Sequence, residues 1–276
     1  MQRHAGTVRV LTGVGAGAAV IGGVGVLGAA GFVQLLKRQA AHARAVIGTP
    51  LGDIAPDADK VYRRRHAAPG VEPLDLLLVG DSVAAGLGAT RPKGTLGARL
   101  AKGLGDALHR PVRLRTVAKV GAETWMIPEQ QLTQLEEDYR PDVAVVIVGG
   151  NDVTHRVPLA DSIAGLREVI GSLRARGATV VVGTCPDLGA IRPLPDPLRS
   201  LAGRASRQLA VAQREAALDA GAHVVSLAEA VGPFFVTNPE DHFAIDQFHP
   251  SELGYRRTAE ALVPSVVDAL RVPAGA

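Results

Sequence analysis

The chain has 276 residues, 47% hydrophobic composition and a formal net charge of +3, which is enough apolar material for one full core with a segment to spare. The basic excess is local, since residues 1–71 hold nine Lys/Arg against three Asp/Glu and the remainder carries −3. Aromatics at 3%, with no basic stripe interleaved among them, exclude a nucleic-acid surface built on base stacking, and a single cysteine, Cys185, excludes an intrachain disulfide or a cysteine-based zinc cluster.

From Val10 to Leu36 no residue is charged, and Arg3, Arg9, Lys37 and Arg38 flank the run. About 20 apolar helical residues cross a bilayer, so residues 1–48 are expected to carry a transmembrane helix that tethers the protein to a membrane. Gly13, Gly15 and Ala18 also satisfy G-x-G-x-x-A, but the acid that a dinucleotide turn needs ~20 positions on is missing, the first in the chain being Asp53. A secretory h-region runs ~7 to 15 residues, so a retained anchor is favoured over cleavage near Ala43 or Ala45. The flanking charges lean toward a cytoplasmic main domain. Residues 49–72, with Pro50, Pro56, Pro69 and the run Arg63, Arg64, Arg65, show no periodicity and read as a linker.

From residue 73 to 276 short apolar runs alternate with longer amphipathic stretches. Strands are expected at 74–79, 112–117, 143–148, 179–183 and 223–225, and helices at 96–108, 128–137, 159–176, 198–220 and 254–270. Such alternation implies a three-layer α/β/α sandwich around a central parallel sheet of about five strands, flavodoxin-like, with ligands bound beyond the carboxyl ends of the strands.

The residues that follow the strands carry chemistry. The first strand runs into Gly80, Asp81 and Ser82, the second is followed by Gly121, and the third runs into Gly149, Gly150, Asn151 and Asp152. Near the chain end comes Asp246, Gln247, Phe248, His249, Pro250. A serine hydroxyl becomes a nucleophile only when a base takes its proton, so it needs an imidazole, and a carboxylate must fix that imidazole's tautomer.

In this order, Gly-Asp-Ser, Gly, Gly-x-Asn-Asp and Asp-x-x-His-Pro resemble the blocks of the SGNH (GDSL) hydrolase family, over about Leu74 to Leu270. The resemblance implies a serine esterase or lipase with Ser82 as nucleophile, His249 as base and Asp246 as its partner. It further implies an oxyanion hole made by the backbone amides of Ser82 and Gly121 and the side-chain amide of Asn151. No cofactor or metal is implied. Val83 stands where the commonest first block has Leu, and no G-x-S-x-G elbow surrounds Ser82, which disfavours the α/β-hydrolase fold.

Asp81 and Asp152 are expected to fix loops rather than move protons. His155 and His242 lie in candidate loops without the Asp-x-x-His-Pro context, and Cys185 reads as a buried thiol. Phe234, Phe235, Phe243 and Phe248 cluster before His249. They are expected chiefly as apolar anchors, with Phe235 and Trp125 as candidates for lining an acyl pocket or lid.

The resemblance implies hydrolysis of short or medium acyl esters or of acylated envelope glycans by an extracytoplasmic domain, although the flanking charges lean the other way. The alternatives are an acyltransferase with a sugar hydroxyl in place of water, and a membrane-tethered binding module without catalysis.

Overall fold

The computed structural model describes residues 15–63 and 70–271, with the side chains of the first helix described from Ala30 onward. Six strands form one sheet: β1 (Val61–Tyr62), β2 (Leu74–Gly80), β3 (Val112–Thr116), β4 (Val143–Ile147), β5 (Thr179–Gly183) and β6 (His223–Val225), in the order β1-β3-β2-β4-β5-β6. Strands β2 to β6 pair in parallel, whereas β1 pairs antiparallel with β3. The sheet is therefore mixed and six-stranded, which corrects the expectation of a purely parallel sheet of about five. A two-residue strand carries no periodicity, which is why β1 reads as linker.

Helices cover both faces, so the central strands β2, β4 and β5 are apolar on both sides. Leu76 and Leu78 of β2, with Val143, Val145 and Ile147 of β4, pack with Leu100 and Leu104 of α3 (Leu96–Leu108) and Leu262 and Val266 of α11 (Glu252–Arg271). The alternate residues Leu77, Val79, Ala144 and Val146 pack with Leu166, Val169, Ile170 and Leu173 of α6 (Leu159–Ala175). Beside it lies α7 (Leu198–Asp219), followed in the chain by the short helices α8 (Leu227–Ala230), α9 (Gly232–Thr237) and α10 (Pro239–His242). Chain order reverses at β2, because β3 lies on one side of it and β4 on the other, and the crevice between such diverging connections is where α/β sheets bind ligands.

The expected helix at 128–137 is much shorter. It is a single turn, α4 (Ile127–Gln130), followed by a 3₁₀ turn over Leu132–Gln134, because Gln131 leaves helical geometry at φ −120° and turns its side chain to the sheet.

The membrane-spanning helix expected over Val10–Leu36 is also corrected. Residues 1–14 lie outside the described ones, α1 spans Gly15–Ile47, and among the described residues no helix is long and apolar enough to cross a membrane. The C-terminal half of α1 docks on the domain instead. Gln39 donates to the carbonyl of Asp196 at 2.7 Å and accepts from the N–H of Leu198 at 3.2 Å, and Ala43 is buried.

Segment 49–72 also touches the sheet. Ala58 is buried, Asp59 accepts from the N–H of Thr116 at 2.8 Å, and β1 extends the edge. Residues 64–69, which include Arg64 and Arg65, lie outside the described ones.

Candidate active site

Ser82 opens α2 (Ser82–Ala85) directly after β2. The chain can turn there because Gly80 has φ 139° and a Cβ at that position would stand 1.8 Å from the carbonyl oxygen of Ile147. Asp81 caps the turn by accepting from the N–H of Val83 at 2.9 Å. A buried serine at the start of a short helix, below a strand end, is thus fixed by sheet and cap together.

The imidazole arrives from the loop before α11. Ala244 donates its N–H to the carbonyl of His249 at 2.8 Å, Gln247 donates to the carbonyl of Ala244 at 2.9 Å, and Gln247 adopts φ 55°. This tight loop turns Asp246 back on His249. Oδ2 of Asp246 lies 2.6 Å from Nδ1 of His249, and Oδ1 accepts from the N–H groups of Phe248 and His249 at 3.0 Å each.

On the other side of the ring, Nε2 of His249 lies 3.0 Å from Oγ of Ser82. Residues separated by 167 positions therefore form a continuous Asp–His–Ser chain. Burial alone would raise the carboxyl of Asp246, but the hydrogen bonds from His249 and Phe248 outweigh it and hold the group below its ordinary value. Phe248 packs edge-on against the His249 ring at 4.9 Å between centroids.

Gly121 lies after β3 at φ 80°, with open space where a Cβ would be. Asn151 lies in α5 (Gly150–His155), directly after β4, and donates one amide hydrogen to the carbonyl of Ala122 at 3.0 Å. That bond ties the Gly121 loop to α5 and leaves the second amide hydrogen of Asn151 for another acceptor. Below them, Asp152 is buried and accepts from the N–H of Thr124 at 3.1 Å.

Asp81 is the most perturbed carboxyl beside the serine. Burial pushes it up to about 6, Asp152 adds to the rise, and the N–H groups of Val83 and Gly150 and the nearby His249 oppose it.

The two aromatic candidates separate. Trp125 is 50% exposed and its indole N–H donates to Glu123, which also meets His155 at 2.6 Å. Phe235, in contrast, is 8% exposed, belongs to the core and stacks edge-on with Phe243 at 4.9 Å. The structure thus puts it in the core as an anchor, whereas Trp125 stays exposed. His155 is exposed, and His242 is buried with Nδ1 at 2.8 Å from the carbonyl of Asn238. Cys185 is fully buried, which pushes its thiol well above the ordinary value. Among the described residues no three His, Cys, Asp or Glu side chains are grouped to hold a metal ion.

Sequence reasoning missed two buried glutamines. Gln131 pairs with both backbone groups of Gly80, and Gln213 bridges the ends of β4 and β5. A signal for Gln213 exists, because it interrupts the apolar stripe of Leu209, Ala210, Ala216 and Ala217 on α7.

The model of the GDSL-like lipase/acylhydrolase family matches residues 78–257. A GDSL-like esterase of Mycobacterium tuberculosis is 38% identical over 263 residues, which is 92% of this chain and 82% of the relative. Among solved structures, the psychrotrophic esterase EstA from Pseudoalteromonas sp. is similar with a TM-score of 0.56 at 17% identity, over 72% of this chain and 100% of its own. A lipase/acylhydrolase from Enterococcus faecalis is similar with a TM-score of 0.54 at 19% identity, over 70% and 94%. At these identities the two structures bear on the fold alone.

Proposed function

Since the chain belongs to the GDSL-like lipase/acylhydrolase family and is an ester-cleaving hydrolase, we propose that it works as a serine esterase through an acyl-enzyme on Ser82. The observation that carries this reading is the 3.0 Å separation of Ser82 Oγ and His249 Nε2, within reach of direct proton transfer.

Oγ of Ser82 attacks the ester carbonyl as Nε2 of His249 takes its proton, and the carboxylate of Asp246 holds Nδ1 and stabilises the imidazolium. The carbonyl oxygen becomes an oxyanion, received by the N–H groups of Ser82 and Gly121 and the free amide hydrogen of Asn151. The imidazolium then protonates the departing alkoxide, leaving an acyl group on Ser82. Water, deprotonated by His249, attacks that acyl carbonyl, and the collapse of the second oxyanion returns the proton to Ser82 and frees the acid.

The substrates proposed are carboxylic esters of short acyl chains, free or on a glycan. Phe235 supports the short chain, because the ring that was a candidate for lining an acyl pocket or lid is taken up by core packing. A fluorophosphonate should label the wild-type chain, with the adduct mapping to Ser82 by peptide mass spectrometry. A nitrophenyl ester series should show kcat/KM falling from acetyl and butyryl toward octanoyl. Label on another residue would overturn the nucleophile, and a rise toward octanoyl would overturn the substrate class.

A further inference from the structure

The parallel ladder ends before the site does. β3 pairs with β2 only as far as Thr116 opposite Leu78, two residues short of Gly80, and β4 and β5 part after Ile147 opposite Gly183. Backbone groups beyond those points are buried, and buried N–H and C=O groups need partners. Some find backbone partners, and two glutamine side chains supply others.

Gln131 is fully buried, and its side-chain amide pairs with the backbone of Gly80 as another strand would. Oε1 accepts from the N–H of Gly80 at 2.9 Å, and Nε2 donates to its carbonyl at 2.7 Å, a carbonyl that also receives the N–H of Lys119 at 3.1 Å. Gly80 is two residues from Ser82 and holds the turn that delivers it.

Gln213 is equally buried. Oε1 accepts from the N–H of Cys185 at 2.7 Å and Nε2 donates to the carbonyl of Val148 at 2.9 Å, three residues from Asn151. Its Nε2 also stands 3.0 Å from where a Cβ on Gly149 would lie, so the glutamine and the glycine fit each other. An amide offers a donor and an acceptor on one rigid plane, so each glutamine can close both gaps at a parting of strands.

We propose that Gln131 and Gln213 are positioning residues of the active site, the first setting Ser82 through Gly80 and the second setting the Asn151 amide through Val148 and Gly149. The crevice between strands must be open for substrate, yet its walls must not drift, and a misplacement of about 1 Å can cost ~100-fold in rate. The glutamines hold the strand ends at fixed spacing where the regular ladder stops. This rests on the esterase reading of the same site.

The test measures kcat, KM and melting temperature for Gln131→Met and Gln213→Met, each assayed well below its own melting temperature. Methionine keeps the length and removes the paired hydrogen bonds. Loss of kcat by about 10- to 100-fold with KM within about twofold is expected, and the rate of fluorophosphonate labelling should fall in parallel for Gln131→Met. Gln213→Met combined with Asn151→Ala should lose little beyond Asn151→Ala alone, because one acts through the other. Should Gln131→Met fail to fold, Gln131→Asn, which keeps the amide but cannot reach both groups of Gly80, carries the same comparison.

A lowered melting temperature with kcat intact would reduce both glutamines to structural residues and overturn the proposal. Multiplying losses for Gln213→Met and Asn151→Ala would overturn the second half of it. Ser82→Ala separates this failure from that of the esterase reading: hydrolysis that survives Ser82→Ala sinks the reading itself, whereas hydrolysis lost in Ser82→Ala but untouched by the glutamine variants sinks only the positioning.

Discussion

Asp246 grips His249 twice, through Oδ2 to the ring Nδ1 at 2.6 Å and through Oδ1 to the backbone N–H at 3.0 Å. One carboxylate therefore orients the ring and shapes the loop that carries it. Asp246→Asn keeps the size but presents a neutral amide to Nδ1, favouring the tautomer with its proton on Nε2, where the serine proton must go. A fall in kcat of about 10⁴-fold with little change in melting temperature is expected, read from steady-state hydrolysis of nitrophenyl acetate. Activity within tenfold of wild type would mean that the carboxylate only folds the loop.

Asn151 is fixed by the carbonyl of Ala122, and under the proposed mechanism its remaining amide hydrogen receives the oxyanion. Asn151→Ala is expected to lower kcat by about 10²- to 10³-fold and to leave KM nearly unchanged, as for removal of one oxyanion donor. A change in KM alone would assign Asn151 to substrate binding.

Asp81 titrates at about 6 where an unfolded aspartate titrates near 3.8, with burial as the first cause. The folded pKa is raised, so the stability associated with its protonated form is fully present below about 3.8 and is lost as pH rises through about 6. Asp81→Asn removes that dependence, and relative to wild type it should gain about 2 kcal/mol between pH 4 and pH 8. Urea unfolding at the two pH values measures it, and a difference between the proteins that does not change with pH would contradict the assignment.

Phe235 and Trp125 should part in their effects as they do in position. Truncating the core ring in Phe235→Ala is expected to cost about 3 to 5 kcal/mol of stability. Trp125→Ala at an exposed position should change stability by under about 0.5 kcal/mol and raise KM for bulky esters instead. Denaturation curves and KM values for both variants decide it, and a destabilised Trp125→Ala with unchanged KM would reverse the roles.

The sequence was most readable where local pattern and burial coincide. The runs at Leu74, Val112, Val143, Thr179 and His223 became β2 to β6 almost residue for residue, because β2, β4 and β5, buried on both faces, are nearly continuous apolar runs and β3 alternates Val112 and Leu114 with Arg113 and Arg115. Ser82 and Asn151 stood out because each lies just after a strand, and Asp246 and His249 because their block lies in the loop just before α11.

What stayed hidden depends on distant partners. The pairing of Gln131 with Gly80 spans 51 residues and broke the helix expected over 128–137, and nothing in the local sequence signals it. β1 is too short for a period, and the apolar run over Val10–Leu36 gave no sign that Gln39 and Ala43, just beyond it, would dock near the start of α7. Phe235 was legible as bulky and apolar, but only packing decides between core and pocket.

Hydrolysis of nitrophenyl acetate by Ser82→Ala, compared with wild type at equal folded concentration, bears most directly on the nucleophile. Loss of the hydroxyl should lower kcat by at least about 10⁴-fold while the far-ultraviolet circular dichroism and melting temperature stay close to wild type. Turnover within tenfold of wild type, in a variant whose fold is intact, would place the nucleophile elsewhere and contradict the account.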